Sequence, residues 1–184
     1  MLSARPTPDL ETLVGLFYTS AGELGNFEEL SAEDMPPGER RLLAHHNHMT
    51  VTVEEFHNSP VDVRVLEKRR TDRHYARKIL LTRQSDGRVV QFGIMRVNLD
   101  YLSDQVRREI EGESTPLGRI LIRHNVLREV HLSQLWKITP GENLRKLFGL
   151  GKNVATYGRT AVIHCNGEAA AVELLEIITP CAGE

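Results

Sequence analysis

From Val61 onward the apolar residues of this chain recur at every second position: Val61, Val63 and Val65 alternate with Asp62 and Arg64. A period of two gives a strand with one face on a core and the other in water, a pattern that does not suit a helix. Residues 74–82 and 88–97 read as a second and a third strand. Ser85-Asp86-Gly87 between them signals a hairpin turn, because Asp and Gly tolerate positive φ. Residues 159–165 and 169–179 form another pair across Asn166-Gly167, the strongest short hairpin signal in the chain, and Pro180 ends it. Residues 126–138 are strand-like with less regular alternation.

The remaining segments carry helical spacing or turn chemistry. Leu10, Leu13, Leu16 and Phe17 predict an amphipathic helix over residues 8–19, followed by an acidic, Pro- and Gly-punctuated loop over residues 22–37. A helix opening near Pro37 would place Leu42, His46, Met49, Val53 and Phe56 on one face. Residues 100–111 and 115–122 predict two further helices, and Gly149, Gly151 and Gly158 bracket a flexible connection. Hairpins in sequence, with helices grouped before and between them, predict an α+β fold with a single, largely antiparallel sheet. No repeat or boundary divides the chain. Residues 1–184 are expected to form one domain, with residues 1–40 supplying an N-terminal helix and the acidic loop.

Lys and Arg total 23 against 25 Asp and Glu, a formal charge of -2. No basic excess exists to drive general binding to nucleic acid or an anionic membrane, and neither partner is expected. Two cysteines, Cys165 and Cys181, are too few for a disulfide framework. No run approaches the roughly 18 apolar residues of a membrane span. The first residues, with Pro6 and Pro8, lack the apolar stretch of a signal peptide. The expectation is a cytoplasmic protein with reduced thiols.

Four motifs bear on chemistry. On a helix, His45 and His48 of His45-His46-Asn47-His48 lie near enough to share an ion, but two ligands do not make a structural zinc site, so no metal is expected. Gly149-Leu150-Gly151-Lys152 resembles a piece of a phosphate loop, yet Asn153 stands where Ser or Thr is needed, which leaves a flexible turn. Arg77 shares a strand face with Tyr75, Ile79 and Leu81; its guanidinium must find an anion or acceptors there, or reach water from an edge strand. Glu176, inside Leu174-Leu175-Glu176-Ile177-Ile178, must be paired or kept protonated. Glu173 points to the opposite face, and parity alone does not say which of the two is solvated.

Four segments follow one another in order: His48-Met49-Thr50; Tyr75-Ala76-Arg77-Lys78-Ile79-Leu80-Leu81; Thr115-Pro116-Leu117-Gly118-Arg119; and Glu176-Ile177-Ile178-Thr179-Pro180. Together they resemble the chorismate pyruvate-lyase family. The resemblance covers roughly residues 42–180, and Thr115 to Arg119 is its most specific piece. His48 replaces the family serine, and Lys78 follows Arg77 where an acidic residue is usual.

The resemblance implies a chorismate lyase-like fold, with helical flaps over a buried ligand pocket. It implies release of pyruvate from chorismate to give 4-hydroxybenzoate or a related hydroxybenzoate. Aromatisation drives that reaction, so no cofactor or metal is implied. Arg77 would clamp a substrate carboxylate, backbone groups of Met49 and Leu117 would complete the anion site, and Glu176 would contact the 4-hydroxyl as acid/base. The expected partner is a small aromatic or cyclohexadiene carboxylate. A second reading is a non-catalytic binder of an aromatic or sugar acid, because the same fold serves as the effector-binding domain of some bacterial transcription regulators. No helix-turn-helix segment is evident, which weighs against a complete regulator.

Overall fold

Hairpin pairing organises the sheet. In the computed structural model, which describes residues 8–126, 128–165 and 170–181, the strands are β1 (Gly25–Leu30), β2 (Val61–Arg70), β3 (His74–Arg83), β4 (Val89–Asn98), β5 (Arg128–Pro140), β6 (Thr156–Cys165) and β7 (Ala170–Ile178). They form one sheet in the order β1-β5-β6-β7-β4-β3-β2, and each neighbouring pair is antiparallel. The fold is therefore α+β with a seven-stranded antiparallel sheet. Strand β7 pairs with β4 as well as β6, so the two hairpin groups join at the centre of the sheet.

Helices cover both faces: α1 (Leu10–Val14), α2 (Pro37–Leu43), α3 (Met49–His57), α4 (Asp104–Glu111), α5 (Leu117–Arg123) and α6 (Glu142–Phe148). Strand alternation assigns each side chain its face. Leu80, Phe92, Leu175 and Ile177 pack under α1 and α6, against Leu13, Val14 and Leu144. On the opposite face Met95, Val172 and Leu174 meet Val106 and Ile110 of α4 and Ile120 of α5. Further along that face Ile79, Leu81 and Ile178 meet Leu42 and Leu43 of α2 and Val53 of α3. Each large apolar side chain buried in this way contributes about 1.5–3 kcal/mol. Ser103 starts α4 by accepting a hydrogen bond from the Val106 N–H, satisfying a donor the helix itself leaves open.

Several expectations are corrected. The helix expected over residues 8–19 is α1 alone, ending at Gly15. The acidic loop over residues 22–37 contains β1, whose Phe27 packs edge-on against Trp136 of β5. The connection expected between Gly149 and Gly158 is shorter: Gly149 ends α6 at φ 66°, a left-handed conformation that suits glycine, and Gly158 already lies in β6. The irregular alternation before Ile138 has a cause: the β5–β6 register shifts between Leu132 and Gln134. The Asn166-Gly167 turn lies outside the described residues.

The largest correction concerns the helix from Pro37. It divides into α2 and α3, with residues 44–48 non-helical between them. Apolar spacing carried across this break, where a distant arginine binds carbonyls of the connecting segment.

Candidate functional site

Arg159 of β6 is fully buried (0% exposed), at the register position facing Glu176 of β7. Its Nε donates to Glu176 Oε2 at 2.7 Å. Nη1 donates to the His45 carbonyl at 2.9 Å and Nη2 to the Asn47 carbonyl at 3.1 Å, with the Leu43 carbonyl 3.4 Å from Nη1. The carbonyls of Leu43, His45 and Asn47 thus face a guanidinium in the segment where α2 does not continue into α3.

The histidine segment acquires a structural explanation from the same geometry. His45 Nε2–H donates to the Leu42 carbonyl at 2.7 Å, which leaves Nδ1 to accept from the Asn47 N–H at 3.1 Å. Nδ1 also lies 3.4 Å from Arg159 Nη1. Burial first, and the neighbouring Arg159 charge second, push the His45 pKa down to about 4. His46 Nδ1 sits 3.1 Å from the Val130 carbonyl, fastening the segment to β5. Among the described residues no group of three or more His, Cys, Asp or Glu side chains is arranged to hold a metal ion.

Arg77 of β3 is just as buried, 1% exposed, yet differently served. Nη1 reaches the Ile110 carbonyl at 3.3 Å and Nη2 the Thr115 carbonyl at 3.4 Å, both long. Its Nε has no hydrogen-bond partner, and no carboxylate pairs with it among the described residues. Glu113, the nearby acid, takes Lys68 Nζ at 2.6 Å and the Tyr75 hydroxyl at 3.1 Å. Burial draws the Arg77 guanidinium below its ordinary pKa, partly offset by Tyr75 and Glu113. Tyr75, shielded from water beside Glu113, is pushed up to about 12 and keeps its proton.

Both arginines line one pocket of about 560 Å³, part of it open to solvent, between the sheet and the N-terminal ends of α3 and α5. Antiparallel register lays out its floor in rows: Arg77 beside Met95 and Leu174, then Ile79 beside Gly93, Glu176 and Arg159, then Leu81 beside Gln91. Met49 begins α3 and Leu117 begins α5, and both border the pocket. The first N–H groups of a helix have no partner within it, so this edge of the pocket is rich in backbone donors. Gly118 lets the two helices meet: a Cβ there would lie 3.0 Å from Thr50 Oγ1 and 3.3 Å from His48 Cβ. Glu54 and Arg119 form an ion pair between the same helices.

The four residues singled out in sequence, Arg77, Glu176, Met49 and Leu117, are thus brought around one pocket. Glu173 lies on the other face, its carboxylate 2.6 Å from Arg96 Nε. Sequence reasoning missed Arg159 and Gln91. Arg159 sits beside Gly158 at the start of an apolar run, and two-residue spacing places it on the face of Ala161 and Ile163, the same signal that marked Arg77.

No family model matches the sequence, and no curated protein matches it. Solved structures do. PhnF from Mycobacterium smegmatis is similar over 72% of this chain and 64% of its own, at 10% identity with a TM-score of 0.54. The effector domain of the same protein matches over 72% of this chain and 88% of its own, at 10% identity and a TM-score of 0.51. Gene product SA0254 from Staphylococcus aureus matches over 75% of this chain and 92% of its own, at 9% identity and a TM-score of 0.50. The chain spans under two thirds of whole PhnF but most of its effector domain. The fold is shared. The α+β architecture expected from the sequence, with a single antiparallel sheet and helices packed on it, is therefore the fold of this chain. Among the described residues no helix is long and apolar enough to cross a membrane.

Proposed function

We propose that this chain is a non-catalytic binding domain for a small organic acid, held by its anionic group on Arg77. One observation carries the reading: two arginines and one glutamate line the pocket, and the glutamate is taken by Arg159. That leaves Arg77 as a buried cation with one unmet donor, which a carboxylate or phosphate would complete in charge and in fork geometry. The N-terminal turn of α3 at Met49, and the Leu117 backbone, would add donors to the same group.

The lyase reading needs Glu176 to move a proton. A carboxylate whose oxygen already accepts a buried guanidinium N–H at 2.7 Å serves better as a fixed acceptor than as an acid/base. Likeness to an effector domain supports binding without chemistry. Incubation with chorismate separates the two: the binding reading expects no pyruvate above the uncatalysed background. It also expects saturable binding of 4-hydroxybenzoate or another small acid by calorimetry. Pyruvate released in proportion to protein, and lost in Glu176→Gln, would establish the lyase instead.

A further inference from the structure

Gln91 is 3% exposed and borders the pocket, yet its side-chain amide makes no hydrogen bond among the described residues, and its Oε1 is buried without a partner. An orphaned buried amide is costly to the folded protein and is tolerated where something other than folding uses it. Its location is informative. Gln91 pairs with Leu81 and Ile178, whereas Arg77 pairs with Met95. Met95 and Gln91 stand four positions apart on β4, about 13 Å of strand. Gly93 lies between them on the same face with no side chain to divide the floor. The cationic residue and the amide thus lie on one sheet face and border the same pocket. The apolar side chains of Ile79, Leu81 and Met95 line it.

We infer that Gln91 is a specificity-determining residue, reading a neutral hydrogen-bonding group at the end of the ligand opposite its anion. The inference rests on the acid-binding reading above and narrows its ligand class to hydroxylated or amide-bearing acids. An amide offers both an acceptor and donors, so it matches a hydroxyl or another amide. A second charge would suit it poorly. A ligand lacking that group would leave Gln91 orphaned in the complex too, and buried polar groups left unmet are the strongest source of discrimination a pocket has.

Two matched pairs of acids test this by calorimetry: benzoate with 4-hydroxybenzoate, and hexanoate with gluconate. Wild type is expected to prefer the hydroxylated member of at least one pair by about tenfold. Gln91→Leu, close in volume and unable to hydrogen-bond, is expected to erase most of that preference while still binding the plain acid. The ligand-free variant should also melt higher than wild type, because an unmet buried amide has been removed. An equal preference in both proteins, or a lower melting temperature in Gln91→Leu, would overturn the role of Gln91 and leave acid binding standing. Failure of wild type to bind any of the four acids would overturn both.

Discussion

Arg159 and Glu176 are direct register partners on β6 and β7, and the guanidinium of one lies 2.7 Å from the carboxylate of the other with both buried. The pair also organises chain outside the sheet, since the same guanidinium gathers the carbonyls of His45 and Asn47. Removing one partner of a buried pair strands the other charge and typically costs about 3–5 kcal/mol. Arg159→Met is therefore expected to lower stability by about that amount in urea unfolding and to loosen residues 44–48 in hydrogen exchange. Glu173→Gln on the opposite face, whose partner Arg96 is partly exposed, should cost no more than about 1 kcal/mol. Similar losses in the two variants would contradict the distinction between the faces.

His45 gives the fold a predicted acid sensitivity. In the folded state its pKa is held at about 4, against an ordinary value of 6.5. The unfolded chain then binds the extra proton first as pH falls. His45 contributes no penalty above pH 6.5, removes stability progressively from pH 6.5 towards 4, and adds nothing further below that. His45→Gln, which can still donate to the Leu42 carbonyl, should flatten the stability profile over this window. Parallel wild-type and variant profiles would remove His45 as the cause.

Gly118 predicts the mechanical sensitivity of the pocket rim. Its added methyl would meet Thr50 Oγ1 at 3.0 Å and Thr50 Cβ at 3.3 Å, so α5 would be pushed from α3. Gly118→Ala is expected to cost about 1–3 kcal/mol by overpacking. Acid affinity should fall as well, because Met49 and Leu117 border the pocket from these two helices. Unchanged affinity in a folded variant would show that the rim takes no part in binding.

Period-two alternation made β2 legible, because one of its faces is in water, whereas β3, β4 and β7 are buried on both faces and were legible as apolar runs bounded by turn signals. The charged residues interrupting those rows, Arg77 and Glu176, were visible for the same reason. Other features were decided by contacts distant in sequence. The apolar series Leu42, His46, Met49 and Val53 keeps helical spacing across residues 44–48, but Arg159, more than a hundred positions away, supplies hydrogen bonds that compete with the helix there. Strand β1 was hidden because Asn26, Glu28 and Glu29 are exposed at a sheet edge, where polar residues are the norm. Helix α6 carries too short an apolar stripe to stand out between glycines. The ion pair that occupies Glu176 could not be read from the Glu176 segment alone, since its partner lies on another strand.

The proposed function makes Arg77 a buried cation kept for a ligand rather than for the fold. The most direct test is the melting temperature of wild type and Arg77→Met at pH 7, with and without a saturating small acid such as 4-hydroxybenzoate. A ligand at a hundred times its dissociation constant adds about 2.7 kcal/mol to stability. The wild-type melting temperature is expected to rise with acid concentration. Arg77→Met is expected to be at least as stable without ligand and indifferent to the acid. A variant that is badly destabilised on its own, or that still gains stability from the acid as wild type does, would contradict the proposed function.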